Sequence, residues 1–500
     1  MIDAASTPQI TPSGSHAERT ARLDALREAF TGLDTAYPRA DGTTGPRTYL
    51  DSAASTLRCT VADDVVRRAL RHYANTHSTL HAGARIMTHL YEQAHEIVGR
   101  FVDAPDDYTV VFNGSGVTGG LNRMARVLAE RRPDRDLVIT TMMEHHANDL
   151  PHRKHVGEVV HVPLEKDPDG EAGRVDVDAL RAAIAEHADR LNYVAVTAAS
   201  NVTGVVNPVH EVARLAHEAG ALCVVDAAQS AAHEPISVQG QEEAEALDVL
   251  CMSGHKIYAP GSPGVIVARK SLFEGLEPQE VGGGIVDRVE TDRYEITDTL
   301  PEREEAGTPN LPGALRLAAT LQLLGRIGMD LVAEDERELT QYALERFEAV
   351  DGLTIYGSHR LEVADRIGVI AFNLHDLPHG LVAAALNDYF GVAVRNECFC
   401  AQPFVRQLLG RAGGATDGEE CGPETQPGMV RASLGLYNTK ADVDTAVEAL
   451  SDLADRPDWY RAQYRPRLDG SGDWVHRTFE HPPEAAFSLE NEIDDWLQST

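Results

Sequence analysis

The chain has 500 residues, 43% of them hydrophobic, with 45 Lys+Arg against 78 Asp+Glu and a formal net charge of −33. That length exceeds one simple core and predicts two or more domains, while the apolar fraction excludes a disordered chain. So acidic a surface repels nucleic-acid phosphates and anionic membranes, which excludes both as partners.

Five of the basic residues are lysines: Lys154, Lys166, Lys256, Lys270 and Lys440. Acid excess with scarce lysine points to a salt-rich cytoplasm, although a high-GC genome also favours arginine. The six cysteines (Cys59, Cys223, Cys251, Cys398, Cys400, Cys421) form no CxxC pair, which fits a reduced cytosolic setting. Cys223 and Cys251 lie in apolar strand patterns and are expected to be inert core residues. The N-terminal stretch has no apolar h-region, and no run approaches a membrane span, so a soluble cytoplasmic protein is expected.

Residues 1 to about 16, rich in Ser, Thr and Pro, are expected to be mobile. Periodicity predicts helices at 17–30, 61–73 and 86–102, with a short strand and small-residue turn at Tyr49–Thr56 between the first two. From Tyr108 strands alternate with helices. Strands are predicted at 108–113, 137–141, 158–163, 193–200, 221–228, 247–253 and 264–269, and helices near 116–131, 176–188 and 208–219. Continuous Val/Ile/Leu/Ala strands with helical crossovers predict an α/β fold with a mostly parallel sheet covered on both faces. Ligands of such sheets bind at the carboxyl ends of the strands, where the polar residues fall here.

After Pro312 a long helical segment is predicted to about residue 350, followed by strands at 353–357, 366–374, 391–395 and 429–434. The expected division is an N-terminal extension and helix (1–47), a large domain (48–312) whose first segment contributes to the small domain, a smaller α+β domain (313–455), and a C-terminal extension (456–500). The extension holds Trp459, Trp474 and Trp496. Large aromatics need a surface to bury against, so it is expected to pack.

The chemistry starts at Leu247–Pro260, LDVLCMSGHKIYAP. A buried strand stops in a small-residue turn and delivers one lysine, Lys256, read as an imine-forming amine. Asn113–Gly120 follows a strand and opens a helix, where free amide donors and the dipole suit a phosphate. Its glycine spacing fits neither a Walker loop nor a GxGxxG fingerprint, and a plain turn fits as well. Asp226 ends an apolar strand, either as a helix N-cap or as an anion facing a ring nitrogen, with Gln229 in reach. His145 and His146 point to different sides of their strand end with no third ligand near, so no metal site is expected. Ser200–Gly204 closes another strand. Singly, each reads as a turn or a cap. Together they place a phosphate cup, an anion, a flat polarisable group, an amide and an amine at successive strand ends. That set matches pyridoxal phosphate, whose protonated ring is an electron sink, with Lys256 activated by loss of hydration.

The motifs YLDSAAS (49–55), MEHHAN (143–148), SNVTG (200–204), DAAQ (226–229), SGHKIYAPGSPG (253–264), EAGTPN (305–310), VRNECFCAQP (394–403) and VRASLGLYNT (430–439) are specific and in order. In these the chain resembles the class V aminotransferase-fold enzymes, closest to SUF-type cysteine desulfurases and selenocysteine lyases, from about residue 49 to about 452. The resemblance implies fold type I of the pyridoxal-phosphate enzymes, with a seven-stranded large-domain sheet. It implies Lys256 as the Schiff-base lysine, His145 stacked on the ring and moving protons, Asp226 at the ring nitrogen, and Asn201 and Gln229 near the ring oxygen. Ser115, Gly116, Thr118, Ser253 and His255 match phosphate contacts, and Thr308 one that reaches the neighbouring subunit's phosphate, which implies a homodimer.

Arg431 matches the grip on the substrate carboxylate, with Ala53 and Arg395 also at the substrate. Cys400 matches the nucleophile that takes sulfur from L-cysteine, leaving alanine and a persulfide for a sulfur-acceptor protein. A thiolate is needed there, with Arg395 as helper.

Three stretches depart from the pattern. LHAGAR (80–85) stands where Val-His-Arg-Gly-Ile-His is usual. The phosphate loop is longer and glycine-richer than Arg-Gly-Thr-Thr-Glu. Cys398 stands where histidine-rich sequence is usual. All three surround phosphate, substrate and sulfur contacts, not the ring. Another class V activity (epimerase, lyase or aminotransferase) with Cys400 incidental therefore stays open. A non-catalytic scaffold has no need of Lys256, His145, Asp226 and Arg431 together.

Overall fold

The computed structural model describes residues 9–76, 78–410, 427–467 and 473–499. All seven predicted strands of the large sheet form: β1 (Tyr108–Asn113), β2 (Leu137–Thr141), β3 (Glu158–Val162), β4 (Leu191–Thr197), β5 (Leu222–Asp226), β6 (Val249–Ser253) and β7 (Gly264–Arg269). Their order is β1-β7-β6-β5-β4-β2-β3, and β7 alone runs against its neighbours. Strand residues alternate between two cores. Phe112, Ile139, Val194, Val225 and Leu250 join one, while Val111, Val138, Tyr193, Val224 and Cys251 join the other. A sheet buried on both faces needs apolar residues at every position, which is why these strands read as unbroken apolar runs.

Two predicted strands overshoot. Pairing stops at Thr197 and Asp226, and the apolar residues that follow turn instead. The Asp226 carboxylate accepts the Ala228 N–H at 2.9 Å and starts that turn. An apolar run does not by itself separate a strand from a buried turn.

The smaller sheet contains β8 (Leu353–Tyr356), β9 (Val369–Leu374), β10 (Arg395–Glu397) and β11 (Met429–Ser433), antiparallel in the order β8-β9-β11-β10. The predicted strand at 391–395 divides: Val392–Ala393 pairs with Thr48–Tyr49, and the chain then joins β11 as β10. The predicted long helix is two, Leu311–Ile327 and Met329–Glu348, parted at Gly328, whose φ of 103° only glycine adopts without strain.

Both ends of the chain differ from expectation. Residues 1–8 and Cys421 lie outside the described residues. From residue 9 the chain is seated, because Ile10 is buried against Gly325 and the Ser13 N–H donates to the Arg326 carbonyl at 2.9 Å. In the C-terminal extension Trp474 joins the small-sheet core with Tyr460 and Tyr464, and Trp459 meets the Tyr389 ring edge to face at 5.5 Å. The helix Leu489–Ser499 buries no residue, and Trp496 is exposed. Glu490, Glu492, Asp494 and Asp495 share that helix with exposed Leu489, Ile493 and Leu497. Among the described residues no helix is long and apolar enough to cross a membrane.

One close approach fixes the sheet against the loop after β1. A Cβ on Gly264 would lie 2.4 Å from the Gly116 carbonyl oxygen, and backbone does not yield there. Gly264→Ala is expected to lower stability in urea unfolding by about 1–3 kcal/mol. Gly283→Ala is the control, because nothing lies within 4 Å of its Cβ. Equal stability of the two variants would contradict this packing.

Candidate active site

The ends of β1, β4, β5 and β6 open onto a cavity of about 380 Å³. Lys256 stands on its floor, in the single 3-10 turn Gly254–Lys256 that follows β6. It makes no hydrogen bond or ion pair among the described residues. Burial pushes its amine down to about 8, with Asp226 opposing the shift. Asp226 reaches the same cavity from the end of β5, and burial pushes its carboxyl up.

His145 lies on the wall. Its Nδ1 accepts the Ala147 N–H at 3.0 Å, so the neutral ring carries its proton on Nε2. Burial, and then the charge of Lys256, hold the imidazole down at about 3. Asn201 and Gln229 also line the cavity. Each ties down a neighbouring segment: Asn201 Nδ2 donates to the Phe399 carbonyl at 2.7 Å, and Gln229 Nε2 to the Ala53 carbonyl at 2.9 Å.

The cavity reaches the start of helix Gly116–Arg131. Ser253 Oγ accepts the Val117 N–H at 2.8 Å, which leaves its own O–H to donate. Gly116 has φ 58°, and a Cβ there would lie 2.7 Å from Ser253 Oγ. Ser115, Thr118 and His255 line the same end. Gly116 sits behind Ser253, and Thr308 is exposed away from this cavity. They are the two predicted residues that the lining does not include.

Arg431, Arg395 and Ala53 form the opposite side. Arg431 is 3% exposed; it donates to the Asn201 carbonyl at 2.9 Å and to Asp51 Oδ1 at 3.4 Å, and its Nε has no acceptor. Burial lowers it to about 10, so it stays charged at neutral pH. Its guanidinium lies 4.8 Å over the Phe399 ring. Arg395 is its direct partner in the β10–β11 register. The two like charges repel, and the Asp51 carboxylate already lies in the field of both. The Ala53 N–H donates to Ser433 Oγ at 2.9 Å and ties the Ala53 loop to the end of β11.

Cys400 reaches the cavity from a strained loop. Glu397, Phe399 and Cys400 have φ of 89°, 50° and 56°, where a non-glycine residue is disfavoured by roughly 1–3 kcal/mol. Two anchors hold it: the Asn201 bond to Phe399, and the His146 N–H, which donates to the Cys400 carbonyl at 2.7 Å. Cys400 is exposed, whereas the Cys398 thiol is turned toward the Pro427 carbonyl at 3.4 Å and pushed up by burial. Among the described residues no three His, Cys, Asp or Glu side chains converge as metal ligands.

Three contributors carry no role in the sequence reading. Asp51 holds Arg431, and Phe399 lies under it. Glu144 is buried beneath His145 and accepts the Thr141 O–H at 2.6 Å, an Asn148 N–H at 2.6 Å and the Thr197 N–H at 3.2 Å. Burial pushes it up to about 8, and Asp226 adds to that. Asp51, Glu144 and Phe399 all lie inside the quoted motifs, which was the available signal.

The sequence profile of the family described as Aminotransferase class-V matches residues 48–446. The chain belongs to the class-V aminotransferase family. A probable cysteine desulfurase of Halalkalibacterium halodurans is 34% identical over 413 residues, which span 81% of this chain and 92% of that one. A cysteine desulfurase of Shigella sonnei is 33% identical over 82% of this chain and 93% of its own. Among solved structures, the apo cysteine desulfurase of Thermococcus onnurineus superposes with a TM-score of 0.70 at 31% identity, covering 82% of this chain and 95% of that one. The Escherichia coli cysteine desulfurase CsdA, in an S-sulfonic acid form, gives 0.68 at 30% identity, covering 87% and 98%. The class-V match spans both sheets and the whole cavity lining. The seven-stranded α/β architecture is that of fold type I.

The low pKa of His145 makes a direct expectation. Its ring stays neutral between about pH 5 and 8. The ring protons, assigned by loss in His145→Gln, are expected to show no NMR titration in that range. A midpoint near 6.5 would contradict the burial argument.

Proposed function

We propose that this chain is a pyridoxal-phosphate-dependent cysteine desulfurase, which converts L-cysteine to L-alanine and keeps the sulfur as a persulfide on Cys400. The observation that carries the reading is Cys400, exposed on its strained loop and facing the cavity that holds Lys256 and Arg431. Relatives that bear the name cysteine desulfurase support it.

The donor set fits the cofactor. Asp226 is buried, with one backbone N–H as its bond, and suits a protonated ring nitrogen. Ser253 has a free O–H at a helix start, which suits a phosphate. Lys256 is an unpaired amine with a lowered pKa and suits the aldehyde. When bound, pyridoxal phosphate supplies an electron sink for the substrate's α-carbon.

The rest falls to the chain's own groups. Arg431 and Arg395 bind the substrate carboxylate, with Arg431 exchanging Asp51 for it. Lys256 and His145 move protons at the substrate carbons. Cys400, as thiolate, attacks the substrate sulfur: a sulfur–sulfur bond forms, the carbon–sulfur bond breaks, and the carbon takes a proton to give alanine. Atoms and electrons balance without an external oxidant. The persulfide then passes to a sulfur-acceptor protein. Thr308, exposed and away from its own cavity, supports a homodimer in which it meets the partner's phosphate site.

Capture of pyridoxal phosphate by the cofactor-free protein needs the neutral amine. Its rate, followed by absorbance, is expected to rise with pH through an inflection near 8. An inflection near an ordinary lysine value of about 10.4 would contradict the role of burial.

With L-cysteine the protein is expected to release alanine. Cys400→Ala is expected to keep the cofactor band and lose that release, and Cys398→Ala to retain both. Racemised or transaminated product, or full activity in Cys400→Ala, would overturn the assignment. Arg431→Gln is expected to weaken substrate binding by roughly 1.5–3 kcal/mol, read from KM. Unchanged KM would remove Arg431 from the carboxylate role.

A further inference from the structure

A second and larger cavity, of about 820 Å³, shares no lining residue with the active site. That volume lies within the range of about 300–1,000 Å³ typical of small-molecule sites. Its walls are the N-terminal hairpin (Ala36–Pro38 with Thr44–Pro46), the helix His379–Phe390, and the C-terminal extension with its own hairpin (Tyr464–Pro466 with Trp474–His476). Most of the lining falls outside residues 48–446, so the class-V fold does not itself require this cavity. Ala393 lines this cavity, and Arg395, two positions on, lines the active one.

Its charge is opposite to that of the chain. Arg39, Arg47, Arg465 and Arg467 line it, in a protein with 78 acidic residues against 45 basic ones. Arg39, Arg47 and Arg465 form no ion pair among the described residues. Two of them are held in advance: Arg39 donates to the Pro46 carbonyl at 3.2 Å, and the Arg47 guanidinium lies 4.8 Å over Tyr49 and 6.0 Å from Tyr37. The Nε atoms of both are buried without an acceptor. Trp474, 9% exposed on the same wall, has an indole N–H that is also without an acceptor.

The acid within the wall, Asp388, is already engaged. It accepts from Tyr464 at 3.0 Å and Asn387 at 2.9 Å, and burial pushes its carboxyl up. Glu480 and Glu484 stand on the exposed rim. Guanidinium groups fixed in place without carboxylates suit phosphate or carboxylate oxygens. The rings of Tyr37, Trp474 and Phe479 on the same surface suit a flat group.

We propose that this cavity binds a small organic polyanion carrying a planar ring, of the nucleoside-diphosphate type. The proposal is independent of the reaction assigned above.

The test uses the full chain loaded with pyridoxal phosphate, so that the active-site phosphate cup is filled. ADP, pyrophosphate and citrate are titrated by calorimetry into the parent protein and into Arg39→Ala, Arg465→Ala and Arg190→Ala. Circular dichroism and thermal melting check the fold of each, and two cavity variants keep the test decisive if one does not fold. ADP is expected to bind at one site per chain and to weaken about 10-fold or more in Arg39→Ala and Arg465→Ala. Arg190, an exposed arginine paired with Asp136 and Glu158, is the control and is expected to leave binding unchanged. No saturable ADP binding, or equal binding in the two cavity variants, would overturn the site. Pyrophosphate or citrate binding as tightly as ADP would overturn the planar-ring part.

Discussion

A lysine amine at the end of a buried strand, without a partner among the described residues, is the constraint on which this structure depends. Burial disfavours the charge on Lys256 and brings its pKa to about 8; the buried carboxylate of Asp226 is the main opposing influence. Neither group is comfortable alone, and the two meet at one cavity, where the proposed cofactor would offer an aldehyde to one and a ring nitrogen to the other. A parallel sheet makes the arrangement cheap to build, because adjacent strands deliver their polar residues to one edge while apolar residues fill both faces. The cores on either side of β4, β5 and β6 hold that edge rigid.

The reaction is chosen elsewhere, by the smaller sheet. β10 and β11 set Arg395 directly opposite Arg431, a repulsive pair that gains from a carboxylate between them. The chain leaving β10 is forced through left-handed conformations at Phe399 and Cys400, and bonds from Asn201 and His146 hold it there. Those two anchors belong to the large-sheet loops. The proposed nucleophile is therefore positioned by loops of the large sheet, although its own sequence lies beside the smaller one. Asp51 plays a similar linking role, occupying Arg431 until another carboxylate arrives.

The large sheet was legible because a strand buried on both faces leaves an unbroken apolar run. Lys256 was legible because lysine is scarce in this chain and the other four lysines lie in wetter surroundings. Strand ends were less so: Ala198, Ala199, Ala227 and Ala228 are buried and apolar but turn away from the ladder. Asp51, Glu144 and Phe399 were hidden for another reason. Asp51 and Phe399 act through Arg431, which for Asp51 lies 380 positions on, and Glu144 bonds Thr197 as well as its neighbours Thr141 and Asn148. Tryptophan content misled at the far end, where Trp496 lies on a solvated helix, while Trp474 did find a core.

The central claim is that sulfur leaves cysteine and lands on Cys400. The most direct test is mass spectrometry of the peptide that contains Cys398 and Cys400, after brief exposure of the cofactor-loaded protein to L-cysteine. The account predicts a gain of one sulfur atom, reversed by a thiol reductant and mapped by fragmentation to Cys400. An unmodified Cys400, with alanine released or with the extra sulfur on Cys398, would contradict it.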